Sequence, residues 1–275
     1  MVASKCLQRK EGKYQNSPNV EKFMVSSSKA YYGDYLRYQM GRLFYAQMGE
    51  LSKTLKGEKT MDYSTWFSDP EVASTYTHAQ HNGSMATAKV LFRKVPLTGI
   101  ASMLDVGGGS GAFSLQAVRG NASLRATVLE LPEVCRTSRK LMEHQASPEE
   151  RERLEFRELD AREPSWPVAP QSQDLVLMSY LCGSVPEEVL RQLFANAWQA
   201  LKPSGRLILH DFMVDDSMDG PLLGALWALQ HVTVNPEGMG LTPGHLAEKL
   251  KLEGFQQVEA FEMIPQMTKV VMGRK

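Results

Sequence analysis

The run Met103-Leu-Asp-Val-Gly-Gly-Gly-Ser-Gly111 constrains this chain more than any other stretch. Apolar residues that read as a buried strand lead into a turn carrying Gly107, Gly108, Gly109 and Gly111. Glycine there lets the backbone take positive φ and lets a ligand approach where a Cβ would intrude. Asp105 precedes the glycines and no Gly-Lys-Ser/Thr follows, which excludes a phosphate-cradling P-loop. A second acid, Glu130, closes the next apolar segment, Ala126-Thr-Val-Leu-Glu130. Strand, glycine turn, helix, strand and acid make the nucleotide half-site of a doubly wound α/β domain, in which the acid can take two ribose hydroxyls.

The rest of the chain fits that frame. Strands are predicted near 101–106, 125–130, 153–159, 173–179 and 206–212, and helices near 111–119, 133–146, 187–201 and 243–253. Leu201-Lys-Pro-Ser-Gly205 reads as the turn that closes the third of these helices, and 256–263 with 267–272 as a terminal antiparallel pair. Alternating strands and helices with short links argue a mainly parallel sheet covered on both faces, with ligands beyond the carboxyl ends of its strands. Residues 1–97 read instead as a helical, aromatic-rich region. Its longest element, Pro70–Val95, is entered through Ser68-Asp69-Pro70, with proline in the first turn.

Lys+Arg and Asp+Glu both number 31, so no charge excess points to nucleic acid or an anionic membrane. A small neutral or zwitterionic partner is expected. No apolar run reaches the roughly 18 residues of a membrane span. Cys6, Cys135 and Cys182 lie far apart, which fits a reducing intracellular compartment, cytoplasm or an organelle such as chloroplast or mitochondrion. No His/Asp/Glu spacing calls for a metal.

These pieces resemble a class I S-adenosylmethionine-dependent methyltransferase, and within that class the plant-type small-molecule O-methyltransferases. The matching segments are Tyr14-Gln-Asn-Ser-Pro18, Leu104-Asp-Val-Gly-Gly-Gly-Ser-Gly111, Val128-Leu-Glu-Leu-Pro132, Leu201-Lys-Pro-Ser-Gly-Arg206 and Glu253-Gly-Phe255. The resemblance implies a doubly wound, mainly parallel seven-stranded sheet with an N-terminal helical extension. Residues 98–275 would form the cofactor-binding domain, and 1–97 a helical region that is either the tail of a winged-helix dimerisation domain or, through residues 20–95, the contact of a homodimer by itself. S-adenosyl-L-methionine would be held by Glu130 (ribose), Asp160 (adenine amino group) and Gly107, Gly109 and Gly111 (methionine portion), with Asp105, Ala161 and Ser179 alongside. Asp160-Ala161 replaces the family's acid-plus-bulky pair, so a shallower adenine wall is expected.

One departure bears on chemistry. The family's proton-abstracting histidine would fall at Gly183, and a lost general base is worth roughly 10²–10⁴-fold in rate. A thioether sulfur has no proton to lose. Aromatic faces, here Tyr76 and Tyr180, can stabilise the moving charge by about 0.5–2 kcal/mol each. A closer resemblance agrees. Tyr76-Thr-His-Ala-Gln-His81, Met178-Ser-Tyr-Leu181, Leu209-His-Asp-Phe212, Ala225-Leu-Trp-Ala-Leu-Gln-His231 and Glu262-Met-Ile-Pro-Gln-Met-Thr268 look like the methylthiohydroxybutyrate S-methyltransferases of dimethylsulfoniopropionate synthesis. That resemblance implies conversion of 4-methylthio-2-hydroxybutyrate to its dimethylsulfonio product.

The catalytic set expected on this reading is Tyr76, Tyr180, His210 and His231; Gln80, His81 and Trp227 would meet the acceptor. His81, His210 and His231 suit a carboxylate and a 2-hydroxyl, since imidazole can donate to both. His144 and His245 read as surface residues, and Ser110 and Ser184 as turn residues. Methionines 213, 218, 239, 263 and 267 read mainly as core filling, with one or two near the cofactor sulfur. The alternative is an O-methyltransferase for a hydroxylated aromatic or polyketide, with His231 or His210 as replacement base.

Overall fold

The computed structural model describes residues 1–28, 30–58, 63–234 and 240–275. Met239 lies outside them. The chain opens on a hairpin of β1 (Leu7–Lys10) and β2 (Lys13–Asn16), where a helical region was expected. Glu11 and Gly12, both at positive φ, make its two-residue turn, and the strand residues are mostly exposed, so no apolar period announces them.

The rest of the N-terminal region is helical. Ser17 caps α1 (Pro18–Phe23), and a wide π-helical stretch, Tyr35–Phe44, runs on into α2 (Tyr45–Met48). The short α3 (Leu51–Leu55) and α4 (Tyr63–Trp66) precede α5, Pro70–Lys94. Asp69 starts α5 as the sequence predicts, its carboxylate accepting from the N–H groups of Glu71 and Val72 at 2.8 and 3.4 Å.

The predicted strands are β3 (Ser102–Val106), β4 (Arg125–Glu130), β5 (Leu154–Glu158), β6 (Gln173–Ser179) and β7 (Leu201–Asp211), with the terminal pair β8 (Gln256–Ile264) and β9 (Thr268–Arg274). The order β5-β4-β3-β6-β7-β9-β8 makes one seven-stranded sheet, parallel from β5 to β7 and antiparallel at β9 and β8. Between the strands run α6 (Ala112–Gly120), α7 (Pro132–Gln145), α8 (Pro148–Arg151), α9 (Glu187–Ala200), α10 (Leu222–His231) and α11 (Pro243–Glu253).

Strand alternation divides the core. Leu104, Val106, Val176, Met178, Leu207 and Leu209 point to one face with Leu193, Phe194 and Leu246 of α9 and α11. Met103, Leu175, Leu177 and Ile208 point to the other with Leu91 of α5 and Leu115 of α6. Leu201–Gly205 is not a plain turn. Leu201 pairs with Gln173 and Arg206 with Leu175, so Lys202–Gly205 bulge out of β7, with Ser204 at φ 64°. The chain runs β3 to β5 on one side and resumes at β6 on the other, which sets the switch point at the carboxyl ends of β3 and β6.

Candidate active site

A cleft opens at that switch point. Its floor is the glycine turn after β3, with Asp105, Gly107, Gly108 and Gly109; Glu130, Asp160, Ala161 and Arg162 line it beyond β4 and β5, and Ser179, Tyr180 and Leu181 beyond β6. Helix α5 contributes Tyr76, Gln80 and Ser84, four apart and therefore on one face. Tyr63, Ser64 and Phe67 in and after α4 close the opposite side.

The glycines are required by close approach. A Cβ on Gly108 would lie 2.7 Å from the Asp105 carboxyl carbon, and one on Gly109, at φ +55°, would lie 2.9 Å from the Gln80 amide nitrogen. Glu130 is pinned under this turn: one carboxylate oxygen accepts from Gly109 N–H at 2.8 Å, the other from Leu131 N–H at 2.7 Å. Each oxygen keeps a lone pair for another donor, so the pair can take vicinal hydroxyls. Asp105 accepts from the Ser114 hydroxyl at 2.8 Å through Oδ2, while its Oδ1 is buried with no partner. Burial pushes Asp105 up to about 7 and raises Glu130 as well. An orphaned buried acceptor beside a glycine floor and a ribose-competent glutamate fit a nucleoside bearing a cationic amine.

Tyr180 sits at φ 59°, a left-handed conformation rare for a bulky residue, held by its N–H on the His210 carbonyl at 2.8 Å. Its ring packs on Phe212 at 5.1 Å between centroids, and Tyr76 packs on Phe67 at 4.8 Å. Burial raises both phenols above their ordinary range, so they are neutral hydroxyls with π faces at physiological pH.

Among the predicted site residues, Tyr76, Tyr180, Gln80, Asp105, Gly107, Gly109, Glu130, Asp160, Ala161 and Ser179 come together in the cleft. His81, His210, His231, Trp227 and Gly111 do not line it. His81 is buried behind the turn, its Nδ1 3.0 Å from the Ser110 hydroxyl. His210 shares the parity of Ile208, which turns it toward Phe113; its Nδ1 meets Ser179 Oγ at 2.8 Å and its Nε2 has no partner. His231 lies against Gly183, and Trp227 packs between Phe44 and Phe212 in a layer behind the cleft. Gly111 caps α6 under the Phe156 ring. Burial lowers His81 and His231 to about 4 and His210 to about 3, so all three are neutral at physiological pH. No imidazole among the described residues lines the cleft.

Sequence reasoning missed Tyr63, Ser64, Phe67 and Arg162, and read Ser110 and Ser184 as turn residues although both line the cleft. Phe67 and Trp66 carried a signal, an aromatic cluster before α5, that gave no direction in space. Met213 and Met263 fill core and Met218 is exposed; neither these nor Met267 lines the cleft. His144 and His245 are exposed, as expected.

Comparison with known proteins agrees with this geometry. The chain is 28% identical over 265 residues to the tetracenomycin polyketide synthesis 8-O-methyl transferase TcmO of Streptomyces glaucescens, covering 94% of this chain and 76% of that protein. It is 26% identical to the 3-hydroxy-5-methyl-1-naphthoate 3-O-methyltransferase of Streptomyces sahachiroi, covering 98% and 77%. The fold matches human N-acetylserotonin methyltransferase in complex with SAM, with TM-score 0.84 and 21% identity over 100% of this chain and 80% of that one. It also matches PigF with SAH, at 0.82 and 18% identity. The model of the O-methyltransferase domain matches residues 46–256, most of the chain, and the protein is a methyltransferase of that family.

Proposed function

We propose that the chain transfers the methyl group of S-adenosylmethionine to a small-molecule acceptor in the cleft at the carboxyl edge of its sheet. The cofactor supplies an activated sulfonium methyl. The chain's residues bind and orient. Glu130 takes the ribose hydroxyls, Asp105 offers its unpartnered oxygen to the ammonium of the methionine portion, and Gly107 and Gly109 admit that portion against the backbone. Asp160 accepts from the adenine amino group. The observation that carries this reading is the joint presence of a glycine-floored cleft, a pinned glutamate and an orphaned aspartate oxygen.

The acceptor that the relatives support is a hydroxylated aromatic or polyketide, methylated on oxygen, because TcmO and the naphthoate enzyme carry such substrates in their names. The aromatic lining of Tyr63, Phe67, Tyr76 and Tyr180 suits a planar acceptor. His231, which packs against Gly183 and does not line the cleft as it stands, would have to turn toward the acceptor to act as its base.

A specific observation favours a second reading, S-methylation of a thioether such as 4-methylthio-2-hydroxybutyrate. Gly183 carries no base, and an imidazole whose conjugate acid sits near pH 4 is a weak one for a phenol. A thioether lone pair attacks without deprotonation, and tyrosine faces stabilise the sulfonium formed.

The test is mass spectrometry of products from methyl-labelled cofactor with phenols, polyketide naphthols and 4-methylthio-2-hydroxybutyrate. Label in a methoxy group supports the first acceptor class, and label in a sulfonium the second. Protein that binds the cofactor and labels none of them overturns both.

A further inference from the structure

Arg162 is not a residue the glycine motif or its acids point to, yet it lines the cleft beside Asp160 and Ala161. Its Nε donates to both Asp160 oxygens at 3.0 Å, and its Nη2 donates to Oδ2 at 2.6 Å. The same Nη2 reaches the Ser64 hydroxyl of α4 at 2.5 Å. One guanidinium thus ties a residue at the end of β5 to one nearly a hundred positions earlier in the chain. Both ends of the tie line the same cleft, and so do Tyr63 and Phe67 on either side of Ser64.

The geometry has two consequences. At the cleft wall next to Asp160, Ala161 offers only a methyl group, and Arg162 is the larger side chain lining the cleft there. A guanidinium forked onto a carboxylate is planar and already ordered, and such a plane stacks on aromatic rings at little further entropic cost. The contact with Ser64 also joins that wall to α4, so whatever steadies Arg162 steadies α4.

Resting on the cofactor reading above, we propose that Arg162 is a cofactor-binding residue whose guanidinium plane walls the adenine side of the cleft beside Ala161 and couples adenosine binding to the seating of α4 over the cleft. Asp160 acts with it: its carboxylate accepts from the backbone N–H, Nε and Nη2 of Arg162 and so fixes the plane of the guanidinium.

The test is calorimetric titration of S-adenosylhomocysteine and of adenosine into the parent protein, Arg162→Ala, Arg162→Lys and Ser64→Ala, paired with amide hydrogen exchange. Arg162→Ala is expected to weaken both ligands by a similar factor, about tenfold, which is about 1.4 kcal/mol. Arg162→Lys should not restore binding, since an ammonium has no plane to stack. In the parent, S-adenosylhomocysteine should slow exchange at Tyr63–Trp66; in Arg162→Ala and Ser64→Ala that protection should be lost, with Ser64→Ala keeping more of the affinity. Arg162→Ala binding both ligands as tightly as the parent, or protecting α4 as well, overturns the proposal. A parent that binds neither ligand overturns the cofactor reading instead, so the two failures are distinguishable. A thermal melt matching the parent's separates loss of the contact from loss of the fold.

Discussion

The imidazole of His231 lies against the backbone of Gly183: a Cβ built on that glycine would come within 2.5 Å of the ring's Cε1. Two elements distant in sequence, the turn after β6 and the end of α10, therefore share one small volume. Gly183 also donates its N–H to the buried carboxylate of Asp211 at 3.2 Å, so the turn cannot back away freely. Gly183→Ala should destabilise the fold by about 1–3 kcal/mol through overpacking. In Gly183→Ala/His231→Ala the cost should be smaller than the sum of the single changes, as read by urea titration. Additive costs would show that the two residues do not compete for space.

His231→Ala separates the two acceptor classes. If an acceptor hydroxyl is methylated with His231 as base, turnover should fall roughly 10²–10⁴-fold with little change in cofactor affinity. If the acceptor is a thioether, turnover should stay within a few-fold of the parent. Steady-state kinetics on the acceptor identified by labelling reads the difference.

The buried histidines give the fold an acid-side liability. His210 drops from its ordinary 6.5 to about 3 on folding because its ring is enclosed by Phe113 and Tyr180. A depressed folded value means stability is fully present above the unfolded value of about 6.5 and is lost progressively as pH falls toward 3. The melting temperature of the parent should fall relative to His210→Phe between pH 7 and pH 4.5. An unchanged gap between the two proteins would show that His210 titrates normally.

The layered fold is legible in the sequence because β3, β6 and β7 are buried on both faces and β4 largely so, and their apolar runs carry Asp105, Glu130, Ser179 and Asp211 at or next to their ends. The half of the cleft proposed to hold the cofactor follows from that, since strand ends fix where those side chains fall. The acceptor half does not. His210 and Asp211 are neighbours in sequence, yet strand parity sends them to opposite faces, and a one-residue difference decides which meets Tyr180. His231 and Trp227 sit on a helix whose seat depends on Gly183, a contact no local pattern encodes. The hairpin of β1 and β2 is exposed and polar, so hydrophobic periodicity is silent there. Arg162 carries no local signal for a related reason: Ser64, its partner across the cleft wall, is brought beside it only by tertiary packing.

Asp105 offers a check on charge. Its carboxyl titrates near 7 because it is buried, and only its ionised form attracts an ammonium strongly. The affinity of S-adenosylhomocysteine should therefore rise between pH 6 and pH 8 in the parent and stay flat in Asp105→Asn. A parallel pH dependence in both proteins would remove Asp105 from the site.

Cofactor binding in this fold centres on a nucleoside held by Glu130 at the glycine turn, as proposed above. Its most direct test is calorimetric titration of S-adenosylhomocysteine into the parent and into Glu130→Ala. The parent should bind one-to-one, and the variant should lose at least tenfold in affinity, about 1.4 kcal/mol. Absence of binding by the parent, or equal affinity in the two proteins, would contradict it.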